Sequence, residues 1–172
     1  MDTEHPKKPY SRALPACGCS LQITTKSEET AMNEDKLLED IYQNANTGIY
    51  SIETILPKVE DNRVSAELVS YQGNLEQIAH TARQMMALKN MNPTDSGVMS
   101  RMGIWTGVQL NALRDNSASH IADMVIKGNT MGITKMTREM NQSLSGDPQV
   151  RGLGEELINT QRRSIETLKK YL

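Results

Sequence analysis

The sequence contains no Phe and a single Trp. A core must therefore be assembled from Leu, Ile, Val and Ala, with 11 Met residues as adaptable filler. Such a core is softer than one locked by large rings. Cysteine is nearly as scarce: Cys17 and Cys19 are separated only by Gly18, too close to staple a fold. That usage suits a reducing cytoplasm. No uninterrupted apolar run approaches the ~20 residues of a membrane span. An excess of one charge is missing too, with 19 Lys and Arg against 21 Asp and Glu. The near balance provides no basic field for nucleic acid or anionic lipid. Strand signals are sparse, and no Asn-Gly or Asp-Gly hairpin turn occurs.

What is present is helical pattern. The length of 172 residues suits one compact domain plus a tail. Residues 1–31 carry Pro6, Pro9 and Pro15, scattered Lys and Arg, and no periodic apolar face. That composition predicts a disordered N-terminal tail. Leu14-Pro15-Ala16-Cys17 has the outline of a lipoprotein cleavage box, but the stretch before it is hydrophilic where a signal peptide is apolar. Met32 directly precedes the helical pattern, so 1–31 reads as an upstream extension of a domain spanning 32–172.

Within that domain, Leu38, Ile41, Tyr42, Ala45, Ile49, Ile52 and Leu56 recur by threes and fours. This predicts an amphipathic helix capped at Asn33, stopped by Pro57, with a close contact at Gly48. Val64, Leu68, Tyr71, Leu75, Ile78, Ala82 and Met85 form a heptad seam on a second helix, from about Asp61 to Asn90. The short link makes these two antiparallel. Val98, Met102, Trp105, Val108 and Ala112 mark a helical crossover over about 97–114. An unbroken helix from Val98 to Leu144 would be about 70 Å long, so a break is expected at Asp115-Asn116-Ser117. From there DNSASHIADMVIKGNTMGITK starts a third main helix, with Ile121, Val125, Gly128 and Gly132 on the packing face. Gly146-Asp147-Pro148 is a stop and restart. The last helix carries the stripe Val150, Leu153, Leu157, Ile158, Gln161, Ile165, Leu168 and Leu172, in which Gln161 is a buried polar candidate. The fold class is all-α: a four-helix bundle of two antiparallel hairpins joined by a helical crossover, the ferritin-like topology.

From Met32 onward the chain resembles an uncharacterised bacterial family of ferritin-like four-helix bundles, distantly similar to spore-coat-type ferritin-like proteins. The residues that carry the resemblance are YQNANTG (Tyr42–Gly48), DNSASHIADMVIKGNTMGITK and the C-terminal IETLKKYL. It implies a fold and no activity.

Chemistry was sought in the residues themselves. A ferritin-like di-iron site needs inward Glu residues and Glu-x-x-His pairs, and no Glu-x-x-His occurs in the helices. Glu76 and His80 share a solvated face, and Asp123 points away from the packing stripe. His120 sits at its flank, expected to be hydrogen-bonded near the bend. Glu53, His120 and Glu156 remain the candidates for an atypical metal site. No nucleophile–histidine spacing, Walker or dinucleotide glycine pattern appears. The leading expectation is a cytoplasmic, non-enzymatic bundle acting through a protein partner or as a homo-oligomer, with no catalytic and no cofactor-binding residue. The alternative is a metal-binding or redox bundle holding iron or manganese. A thiol role for Cys17 and Cys19 is a third reading.

Overall fold

The computed structural model describes residues 20–93, 115–143 and 147–172, of which 20–32 by backbone alone. Its elements are α1 (Ser20–Ile55), α2 (Asn62–Leu88), α3 (Ala118–Gln142) and α4 (Pro148–Leu168). Short 3₁₀ turns follow α1 at Leu56–Lys58 and α4 at Lys169–Tyr171. No strand occurs among the described residues. The crossover expected at about 97–114, Gly146, and the thiols Cys17 and Cys19 lie outside them.

Helix ends are set by local chemistry. Asp61 caps α2 by accepting the backbone N–H of Arg63 at 2.8 Å and of Val64 at 3.3 Å. Ser117 caps α3 by accepting from His120 N at 3.3 Å, and Asp115 accepts from Ser117 N at 2.8 Å. The break expected at Asp115–Ser117 is therefore present. Asp147 caps α4 through Gln149 N at 2.8 Å, with Pro148 in the first turn. α1 differs from expectation. It runs from Ser20 straight through Asn33, which is not a cap. The reason is in the sequence, because no Gly or Pro separates Gly18 from Gly48 to end a helix that extends backwards from the core-packed part.

Contacts across the bundle give the helix directions. At one end Lys89 pairs with Glu34 and Asp35. There also, Ser143 Oγ donates to the Asn33 carbonyl at 3.3 Å and Asp147 N donates to Glu34 at 3.0 Å. At the other end Asn116 donates to Glu60 at 2.6 Å, and Lys170 pairs with Glu67 at 2.9 Å. The helices thus run up, down, down and up. α1 packs on α2 and α3, and α4 packs on the same two, so every neighbouring pair is antiparallel. The connection between α2 and α3 leaves one end of the bundle and returns at the other.

The core follows most of the expected stripes, but Leu172 is 65% exposed and Met86 is buried where Met85 was expected. Leu38, Ile41, Ala45 and Ile52 of α1 meet Val64, Leu68, Leu75, Ile78 and Ala82 of α2. Val150, Leu153, Leu157, Ile158 and Leu168 of α4 face Ile121, Val125, Met136 and Met140 of α3. Among the described residues no helix is long and apolar enough to cross a membrane.

One cap carries a pH prediction. The Arg63 guanidinium, and after it the two capping N–H groups, hold the Asp61 carboxyl below its ordinary 3.8. A carboxyl lowered by folding stabilises the fold above its unfolded value, and the contribution disappears as pH falls through the folded value. The urea midpoints of wild type and Asp61→Asn should therefore differ at neutral pH and converge below 3.8. A gap that persists at lower pH would show that the carboxylate is not what caps α2.

Candidate functional site

Halfway along the bundle the apolar core is interrupted by a layer of uncharged polar groups, one side chain from each helix. Asn44 of α1 donates through Nδ2 to the Gly132 carbonyl of α3 at 3.0 Å. Its Oδ1 accepts from Gln161 Nε2 of α4 at 2.9 Å. Tyr71 of α2 reaches across the bundle and donates to Asn129 Oδ1 of α3 at 2.8 Å. The orientation of each amide follows from the Gly132 carbonyl, which can only accept. Asn44 must turn its nitrogen to it, and Gln161 must then turn its nitrogen to Asn44.

The layer is uncharged, and three of its four members are buried. Asn129, Gln161 and Tyr71 are only 6%, 3% and 5% exposed. Burial raises the Tyr71 phenol above its ordinary value. It therefore remains a protonated donor throughout the physiological range. Two atoms of the layer, Asn129 Nδ2 and Gln161 Oε1, make no hydrogen bond among the described residues. Each buried unpaired polar atom costs on the order of 1–3 kcal/mol, so the layer reduces stability relative to an apolar one. What it adds is specificity: the hydrogen bonds can form in only one register of the four helices.

Glycine makes room for the layer. A Cβ on Gly132 would stand 2.5 Å from Gln161 Nε2 and 3.1 Å from Asn44 Oδ1. A Cβ on Gly48 would stand 2.7 Å from Leu75 Cδ1. Gly48 and Gly132 are thus the close contacts that the sequence suggested. Gly128 is not: it is exposed, with nothing within 4 Å of its Cβ position. The inward position that the periodicity assigned to Gly128 belongs to Asn129, because the phenol of Tyr71 receives it there.

The candidates from sequence fall elsewhere. Glu53 is exposed near the C-terminal end of α1, and Glu156 is exposed on α4. His120 is half-buried in the first turn of α3, and its Nε2 is buried. The hydrogen bond expected for that ring is not found among the described residues. No three His, Cys, Asp or Glu side chains among the described residues are grouped to hold a metal ion, so Glu53, His120 and Glu156 are not brought together. Asp123 pairs with Lys127 at 2.6 Å, and Glu76 accepts from Gln72 at 2.9 Å, both at the surface. Gln161 was legible as a buried polar residue. Tyr71 was visible only as a member of a helical stripe and Asn44 only beside one, since their pairing depends on which helices are neighbours.

The chain matches no protein-family model, no curated protein and no solved structure.

Proposed function

We propose that the chain is a ferritin-like bundle that works without catalysis, through contacts with a protein partner or with further copies of itself. The observation that supports this reading is the neutral layer. Ferritin-like proteins that use metal gather carboxylates at the bundle centre. Here that level is filled by Asn44, Tyr71, Asn129 and Gln161, which bind one another. The up, down, down, up order with antiparallel neighbours supports the ferritin-like assignment, and closely spaced cysteines fit a cytoplasmic setting. The rival reading, an atypical iron or manganese site, gains no ligand set from the described residues.

Size-exclusion chromatography with light scattering on the full chain tests the proposal. A mass at a defined multiple of the chain, or a defined complex with a protein recovered by cross-linking in the source cells, is expected. A strictly monomeric chain that cross-links to nothing would sink it. Stoichiometric iron or manganese in protein purified without added metal would transfer support to the rival.

A further inference from the structure

The seam between α3 and α4 opens into a cleft of about 330 Å³ that the polar layer does not use. That size falls within the range of small-molecule sites. Spacing by threes and fours places Arg151, Glu155, Ile158, Asn159 and Arg162 on one face of α4, and Met140 and Asn141 on the facing side of α3.

The floor of the cleft is apolar. Met140 and Ile158 are 5% and 7% exposed. Met140 sits low because Gly154 has no Cβ, which would stand 3.1 Å from the Met140 sulfur.

The charges of the rim are unequal. Arg151 is engaged twice, with Nε 3.6 Å from the Glu155 carboxylate and Nη1 donating to the Met140 carbonyl at 3.4 Å. Glu155 is thereby drawn to Arg151 rather than to Arg162. Arg162 has no acidic partner among the described residues, although most cations of this surface do. Asn141 and Asn159 beside it also make no side-chain hydrogen bond among the described residues. The cleft therefore presents one uncompensated guanidinium and two free carboxamides above an apolar floor.

We propose that this cleft binds a small organic anion. Its oxyanion head, a carboxylate or a phosphate, would be held by Arg162 with Asn141 and Asn159. Its short apolar part would lie over Met140 and Ile158. A guanidinium suits both heads because its paired N–H groups match two oxygens at once. An exposed arginine alone is most often just solvated. The distinguishing features here are the two exposed carboxamides beside the arginine and the apolar floor, which a simple counter-ion would not use.

The test follows the Nε–Hε resonances of the ¹⁵N-labelled full chain during titration with pentanoate, pentyl phosphate, acetate and inorganic phosphate. The expected result is a saturable shift at Arg162 with pentanoate or pentyl phosphate, and none at Arg83, an exposed arginine of α2. The pentyl-bearing probe should bind about tenfold or more tightly than its short counterpart, because several methylenes leave water. The tighter of the two pentyl probes identifies the head. Arg162→Gln should abolish the shift of the Asn159 side-chain amide while leaving the thermal midpoint unchanged. Linear shifts of equal size at Arg162 and Arg83 would overturn the proposal. So would equal affinity for pentanoate and acetate together with equal affinity for pentyl phosphate and phosphate.

Discussion

Leu75→Ala is expected to destabilise the chain by about 2–5 kcal/mol, as buried Leu→Ala changes do. The thermal midpoint should fall by roughly 4–20 °C for a domain of this size. Leu75 is fully buried, and its Cδ1 fills the notch left by Gly48 on the facing helix. That pairing makes the effect of a second substitution reverse sign. Gly48→Ala alone would put its Cβ 2.7 Å from Leu75 Cδ1. The helix-propensity gain of about 1 kcal/mol is then outweighed by overpacking, typically about 1–3 kcal/mol. In the Leu75→Ala background the obstructing methyl is gone, so Gly48→Ala should become stabilising. Urea midpoints of the four proteins close the double-mutant cycle. If Gly48→Ala has the same sign in both backgrounds, α1 and α2 do not meet at this pair.

Gly132→Ala and Gly128→Ala should move stability in opposite directions, although they lie four residues apart on one helix. At Gly132 the new methyl would displace Gln161 Nε2, 2.5 Å away, and crowd Asn44 Oδ1. Gln161 is flexible, but its amide is held by Asn44 and cannot retreat without leaving buried groups unpaired. The loss of those bonds, on the order of 1–3 kcal/mol per orphaned group, exceeds the propensity gain. The net expectation is a destabilisation of about 1–3 kcal/mol. At Gly128 nothing lies within 4 Å, so alanine should stabilise by up to about 1 kcal/mol. Thermal melts of the two single variants suffice. A stabilising Gly132→Ala would mean that the polar layer is not packed as described.

The same two glycines show how much could be read from one dimension. Their spacing indicates a small-residue face, and both appeared equally suited to a close helix contact. Helical periodicity has a tolerance of roughly one position, because 3.6 residues per turn does not resolve i+3 from i+4. Gly128 and Asn129 fall within that tolerance. Only the arrival of the Tyr71 phenol from the opposite helix decides that Asn129 faces inward and Gly128 outward. Asn44 is a similar case. On its own helix it flanks an apolar stripe, and it joins the layer half-buried because Gly132 offers a carbonyl with no Cβ in the way.

The candidate residues Glu53, His120 and Glu156 were chosen for their chemistry, since helix phase alone cannot say whether three separate helices present them at one height. The structure leaves Glu53 and Glu156 exposed and His120 at the edge of the core. The arginines of the α3–α4 cleft, Arg151 and Arg162, lie one on each side of Glu155 and Ile158 along α4. Their inequality was not legible, because it depends on Glu155 satisfying Arg151 and leaving Arg162 free.

By itself the sequence determined the all-helical class, most of the seams of α2 and α4, the start of α2 near Asp61, the restart at Asp147, and the break at Asp115–Ser117. These are consequences of short-range physics: burial periodicity along one helix, and hydrogen bonds reaching two or three residues. The tertiary structure alone decided the neutral layer and the cleft beside Arg162. Each depends on groups that are distant in sequence and adjacent only after the helices have docked. An amide is a core partner or a surface group according to what stands opposite it, and one chain read in order does not contain that information.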